Sequence, residues 1–116
     1  PGGSREMSRL AAGLWVQAYL RRLHLEHIPA YLAERGDPTA GAVIVKTASL
    51  DGRAVARQRS FDPVTGARIW MVMGEGPEAE VDAMLARQKS RDPDLWIVEV
   101  EARDGRDLLD QPGLSE

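Results

Sequence analysis

A single compact α+β domain, with a mostly antiparallel sheet of about five strands and two helices, is predicted by three observations. Between Gly41 and Gly74 the chain reads as extended runs broken by turn signals: Gly41–Lys46, Val55–Phe61 and Ile69–Met73, separated by Asp51-Gly52 and Asp62-Pro-Val-Thr-Gly66. Asp-Gly between extended runs marks a hairpin, because a type I′ turn needs positive φ at both central residues. Helical periodicity brackets this block, over Leu10–Leu25 and again after Pro77. The length of 116 residues suits one domain that buries about two-thirds of its unfolded surface without disulfides or metal.

The elements follow in the order α-β-β-β-β-α-β. Residues 1–9, with Pro1-Gly-Gly-Ser4 at their head, read as a flexible leader or expression remnant, 10–110 as the domain, and 111–116 as a loose tail. In the first helix Ala12, Trp15, Val16, Tyr19, Leu20 and Leu23 fall on one face, with Gln17, Arg21 and His24 opposite. Pro29 excludes Ile28 from helical space and ends it. Pro29–Arg35 is a short strand, placed at a sheet edge by its proline. Gly36-Asp-Pro-Thr-Ala-Gly41 is a loop dense in breakers. Ala42–Val45, apolar at every position, has the character of a strand covered on both faces.

A two-residue Asp51-Gly52 hairpin would set Lys46 opposite Arg57 and Ile44 opposite Arg59. Val55, Arg57, Arg59 and Phe61 then share one face. The second helix opens at Gly76-Pro77-Glu78, with proline where its missing N–H is harmless. Glu78 and Glu80 lie at its positive end and Arg87, Lys89 and Arg91 at its negative end, while Val81, Met84, Leu85 and Gln88 form the inward stripe. Asp92-Pro93 stops it. Asp94–Ala102 is the last clear strand, with Trp96, Val98 and Val100 on one face and Leu95, Ile97, Glu99 and Glu101 on the other. Asp104-Gly105 signals another turn, after which Arg106–Leu109 reads as a short returning strand. Helices at both ends of a hairpin-linked sheet suggest packing on one face.

Four stretches together resemble one family: Gly13-Leu-Trp-Val-Gln-Ala-Tyr-Leu20, Gly36-Asp-Pro-Thr-Ala-Gly-Ala-Val43, Gln58-Arg-Ser-Phe-Asp-Pro-Val-Thr-Gly-Ala-Arg68 and Asp92-Pro-Asp-Leu-Trp-Ile-Val-Glu99. This is a bacterial, chiefly alphaproteobacterial, domain of unknown function, number 1491. The resemblance spans nearly the whole chain after the leader. It implies no activity, cofactor or catalytic residue.

Composition excludes several function classes. Without cysteine there are no disulfides, thiolate nucleophiles or cysteine-ligated metals, which suits a cytoplasmic protein. A net charge of −3 disfavours general nucleic-acid binding, and no apolar run approaches a membrane span. Gly74-Glu-Gly76 lacks the spacing of a phosphate loop, and no serine lies in a nucleophile elbow.

The remaining candidates are small constellations. His24-Leu-Glu-His27 places two imidazoles about 60° apart around a helix end without a third ligand, so capping or surface roles outweigh a metal site. Glu99 and Glu101 lie about 7 Å apart on one strand face. Preceded by Pro93-Asp94, they faintly echo a metal-dependent nuclease pattern, although Glu101 stands where that pattern has lysine. Lys46, Arg57, Arg59, Arg68 and Trp70 are read as a basic patch. Lys46 facing Arg57 calls for a counter-charge, supplied internally by Glu99 and Glu101 or externally by a carboxylate, phosphate or acidic partner. Trp15, Trp70 and Trp96 read as core anchors.

The leading expectation is a non-catalytic interaction module that engages an unknown protein or a second copy of itself through Pro29–Arg35 or the segment after Gly105. A small metal-dependent hydrolase or nuclease using Glu99, Glu101 and a basic neighbour is the alternative. An anion or nucleic-acid binder using Lys46, Arg57 and Arg59 is the third. No catalytic residue, metal or cofactor is assigned.

Overall fold

The computed structural model describes residues 11–111. The order α-β-β-β-β-α-β is as the sequence predicts: α1 (Ala12–Leu25), β1 (Ala30–Glu34), β2 (Val43–Ala48), β3 (Arg53–Phe61), β4 (Arg68–Pro77), α2 (Glu78–Arg91) and β5 (Trp96–Glu101). The expected leader, and the tail beyond Gln111, lie outside the described residues. Among the described residues no helix is long and apolar enough to cross a membrane.

The five strands form one sheet in the order β1-β5-β2-β3-β4. It is mixed: β5 runs parallel to β2, and the other neighbours are antiparallel. β1 is an edge strand, as predicted, although Pro29 lies just outside it, and β4 forms the other edge.

The helices do not share a face. Val43, Val45, Trp96, Val98 and Val100 pack with Ala12, Trp15, Val16, Tyr19 and Leu23 of α1. Ile44, Ala54, Ala56 and Ile97 pack instead with Val81 and Leu85 of α2. Successive strand residues point to opposite faces, so α1 and α2 sandwich the sheet. The uninterrupted burial of β2 follows, since all six of its residues are covered.

The β2–β3 register also departs from expectation, by one residue. Lys46 pairs with Ala56 and Arg57 with Val45. The loop holds three residues rather than two. Ser49 N–H donates to the Arg53 carbonyl at 3.1 Å, and Leu50 as well as Gly52 adopts positive φ, +63° and +89°. The Asp51 carboxylate stabilises this loop by accepting from Ser49 Oγ at 2.6 Å and Arg53 N–H at 3.2 Å. A one-residue slip moves every side chain to the other face, so Lys46 and Arg57 lie on opposite sides of the sheet.

Two further segments position the candidate sites. Asp37, in the 36–41 loop, ties that loop to the start of β5: its N–H donates to the Asp94 carbonyl at 2.9 Å, and its carbonyl accepts from Trp96 Nε1 at 2.6 Å. Next to it, the Pro38 carbonyl accepts from Gly13 N–H at 2.9 Å, satisfying an open donor at the start of α1. The predicted strand Arg106–Leu109 is a loop. Leu108 and Leu109 are buried in the α1-side core, and Leu108 takes φ of +62°. Leucine anchoring, rather than ladder pairing, holds this segment down.

Candidate functional site

On the α2 side, the Lys46 ammonium is enclosed by three carboxylates. Its Nζ lies 2.5 Å from Glu99 Oε1, 2.7 Å from Glu78 Oε2 and 2.6 Å from Asp82 Oδ1. The lysine side chain is only 5% accessible, whereas Glu78 and Asp82 reach solvent at 37% and 54%. Burial works against the Lys46 charge, but the hydrogen bonds it donates to Asp82 and Glu78 more than offset it and hold its pKa above the ordinary lysine value. Burial, and then like-charged Glu101, push the Glu99 carboxyl up. Tyr31 on β1 also hydrogen-bonds Glu99.

The counter-charge expected for Lys46 is therefore internal, and Glu99 supplies part of it. Glu78 and Asp82, at i and i+4 on α2, supply the rest. Glu101 is not in the group, and Asp94 lies exposed in the turn before β5. The carboxylate oxygens of Glu78, Asp82 and Glu99 approach within 4.8 Å of one another, a spacing suited to a cation. The chain's own ammonium stands among them. A divalent ion would have to displace it. At the other end of α2, Lys89 Nζ donates to the carbonyls of Arg35, Pro93 and Leu95 at 2.7–2.9 Å. Lysines thus fasten both ends of this helix to the sheet and its loops.

The α1 side carries the rest of the predicted patch. Arg57, Arg59 and Trp70 come together there, with Arg68 on the same strand as Trp70. Arg57, Arg68 and Trp70 line an open recess of about 730 Å³, closed on the far side by Asp107, Leu108, Leu109, Asp110 and Gln111. Arg57 Nη1 donates to Asp107 Oδ2 at 2.9 Å. Arg59 is different. Its guanidinium lies 5.5 Å over the Trp15 ring, and its Nη1 is buried without a hydrogen-bond partner among the described residues. Burial, and then the field of Arg68, depress its pKa to about 10. Arg57 and Arg68 stand in the lining of the recess, and Arg59, near Arg68, lies outside that lining.

The other constellations have structural roles. His27 adopts φ of +60° at the end of α1, and the N–H of Ile28 reaches back to the Leu23 carbonyl at 2.9 Å, giving a Schellman-type stop. His24 Nε2 contacts the Ala30 carbonyl at 3.2 Å. At the start of α2, the N–H of Glu78 is used by the Gly52 carbonyl at 2.8 Å, and the Glu78 carboxylate occupies the positive end. Trp15 and Trp96 are core residues, whereas Trp70 is partly buried and packs against Trp15 at 5.2 Å between ring centroids.

The model of the family described as "Protein of unknown function (DUF1491)" matches residues 10–110. The chain belongs to the DUF1491 family. The crystal structure of a DUF1491 protein from Caulobacter crescentus is similar at 38% identity, covering 89% of this chain and 97% of that one, with a TM-score of 0.79. The NMR structure of a DUF1491 protein from the same organism is 38% identical over 89% of this chain and 94% of that one, with a TM-score of 0.77. A solution structure of a protein from A. tumefaciens is 26% identical, covers 81% of this chain and 86% of that one, and has a TM-score of 0.66. No curated protein matches the chain.

Several of the stretches that resemble DUF1491 lie at structural joints in this fold. The first supplies the buried face of α1, the second is the Asp37 loop, and the third contains the Asp62 turn, whose carboxylate accepts from Val64 and Thr65. Sequence reasoning did not single out Asp82, Asp107 or Tyr31. Asp82 was discoverable from its i, i+4 spacing to Glu78, which puts both on one helix face. Asp107 carries no local signal, because its importance comes from a loop folded against residues about fifty positions away in sequence.

Proposed function

We propose that this DUF1491 protein is a non-catalytic, cytoplasmic binding module whose ligand carries an anionic group received beside Arg57, Arg59, Arg68 and Trp70. The single observation that carries the reading is the pair of guanidiniums, Arg57 and Arg68, in the lining of the recess, with Arg59 close to Arg68 and its buried Nη1 without an acceptor among the described residues. An incoming carboxylate or phosphate oxygen would engage these guanidiniums through charge-assisted hydrogen bonding. Lys46 contributes nothing to this recess, because it lies on the other face. The absence of cysteine suits a reducing compartment. Duplex nucleic acid is disfavoured by Asp107 and Asp110 in the wall and by the overall negative charge.

The test is an amide chemical-shift titration with acetate, benzoate and phosphate at matched ionic strength. Saturable shifts are expected at Ile69, Trp70 and residues 105–111, with at least one of the anions, and they should weaken in Arg59→Met. Shifts that track ionic strength alone would refute the reading.

Self-association through an edge strand is a second reading, favoured by β4, where Met71 and Val72 are each 53% exposed on an open edge. Light scattering that shows a monomer at high concentration removes it.

A further inference from the structure

We infer that the outer face of α1 is a docking surface for an acidic amphipathic helix of another protein, seated along Leu14, Ala18, Arg21 and Leu25. This surface is separate from the Arg57 recess, and the inference stands independently of the anion-binding reading.

The stripe follows from the helix period. Trp15, Val16, Tyr19 and Leu23 are buried on one face of α1. Leu14, Ala18, Arg21 and Leu25 recur at intervals of four, three and four residues, which confines them to a band about 60° wide on the opposite side. Leu14 and Leu25 are 55% and 65% exposed. One exposed leucine needs no explanation, but two in line, about 16 Å apart on one helix with an alanine between them, make a seam. Leu14, Gln17, Ala18 and Arg21 have the i, i+3, i+4, i+7 spacing of the hole that receives a side chain from a partner helix. Ala18 leaves that hole open, and a shallow recess of about 710 Å³ extends over it to His24 and Leu25. A second recess, of about 380 Å³, shares Leu14, Gln17 and Leu20 and reaches Leu32, Arg35 and Pro38.

Charge selects the partner. The chain has 18 acidic residues against 15 basic ones, yet neither recess has an aspartate or glutamate in its lining, and α1 contains none. The nearest acids are engaged elsewhere. The Asp37 carboxylate accepts from the N–H groups of Thr39 and Ala40 at 3.0 and 2.8 Å, and Glu26 pairs with Arg106 at 2.6 Å. Among the described residues Arg21 and Arg35 form no ion pair; the Arg35 guanidinium lies over the Trp96 ring. An apolar seam flanked only by cations is complementary to a helix with a leucine stripe and acidic flanks.

Two other occupants fit less well. A second copy of α1 would set Arg21 and Arg22 against the same arginines with no carboxylate between them. A lipid surface is served by exposed aromatic residues and lysines, whereas α1 has no lysine and its Trp15 and Tyr19 are buried.

Two helical peptides of about three heptads serve as probes, each with leucine at a and d; one carries glutamate and the other lysine at e and g. Amide shifts of the full chain are followed at about 0.15 M salt, which screens charges that are not in contact. The acidic peptide is expected to give saturable shifts confined to α1 and residues 32–39, and to bind at least about tenfold more tightly than the lysine peptide. Arg21→Glu should shrink that preference below about threefold, and Leu25→Gln should weaken the acidic peptide about fivefold. Both positions are exposed, so the variants keep the fold. Equal binding of the two peptides, or no saturable shift at about 1 mM of either, would overturn the inference. Shifts at Leu14–Leu25 that depend on protein concentration without peptide would overturn it in favour of a second copy. Tighter binding to phosphatidylserine vesicles than to the acidic peptide would overturn it in favour of a lipid surface.

Discussion

Replacing Lys46 with methionine tests whether the α2-side ion cluster holds the fold together. Methionine keeps most of the apolar stem of lysine, so the variant removes the charge while opening little cavity. It leaves the Glu78, Asp82 and Glu99 carboxylates facing one another across at most 4.8 Å. Removing one partner of a buried ion pair typically costs about 3–5 kcal/mol, because the remaining charge is left uncompensated. Here the figure is reduced by exposure: Glu78 and Asp82 can turn into water, and Glu99, at 14% accessibility, cannot. A loss of about 2–4 kcal/mol is therefore expected. For a domain of this size that lowers the melting temperature by about 10–20 °C.

The pH dependence sharpens the test. The Lys46 pKa is raised in the folded state, so its contribution is complete at neutral pH and is lost only as pH rises through the folded value, above the ordinary lysine range. In Lys46→Met the penalty comes from ionised carboxylates, so it should be largest near pH 7.5 and shrink as they protonate toward pH 4. Glu99→Gln added to Lys46→Met should recover part of the loss, through a favourable coupling between the two sites. Differential scanning calorimetry of the wild type, both single variants and the double variant measures all of this. A Lys46→Met protein melting within about 2 °C of wild type at pH 7.5 would show that the cluster contributes little, contrary to its burial.

Three other outcomes are expected. In Gly41→Ala, the new Cβ would sit 2.2 Å from the Asp94 carbonyl oxygen and 2.8 Å from the Trp96 ring, so urea denaturation should show a loss of about 1–3 kcal/mol; a neutral result would mean that the loop shifts freely. Glu101→Gln removes the like charge beside Glu99. Because the Glu99 pKa is raised, its favourable contribution is present below the ordinary carboxylate value and lost as pH rises through the folded one, so the variant should gain about 0.5 kcal/mol at pH 7 and nothing near pH 3.5. Equal gains at both pH values would contradict that origin. Tyr19→Phe deletes the donor to the Asp107 carbonyl; a loss of about 1–2 kcal/mol, with faster amide exchange confined to residues 105–111, is expected, and unchanged exchange there would mean that the buried leucines suffice.

Much of the architecture was legible because the periodicities are long. The α1 stripe of Trp15, Val16, Tyr19 and Leu23 is buried where its 3.6-residue period puts it, and Trp96, Val98 and Val100 alternate inward as read. The apolar run Ala42–Val45 carried more than one-sided helix packing allowed, since a strand covered on both faces needs a layer on each side. What escaped was the backbone of one turn. Leucine rarely adopts positive φ, so nothing in Leu50 announced a third loop residue, and that residue reversed the facing of Lys46 relative to Arg57. The basic patch consequently divides: Arg57, Arg59, Arg68 and Trp70 stay together, and Lys46 joins the acids. Glu99 as its partner was foreseeable from the need to offset a positive charge. Asp82 and Asp107 required tertiary structure, because a helix and a loop distant in sequence deliver them.

The position of β5 has a consequence for how the chain reaches this shape. β5 comes last in sequence among the strands yet separates the first two, and β1 has no other neighbour in the sheet. A ribosome emits β1 and β2 long before the strand that must slide between them. Until it arrives, one hairpin pair can zip while a gap lined with unpaired amides waits beside it, and Lys46 lacks Glu99. Closure is therefore a long-range event, slow compared with the local β-ribbons, and an interrupted chain that stops before Trp96 would expose a sticky central seam rather than a harmless frayed end.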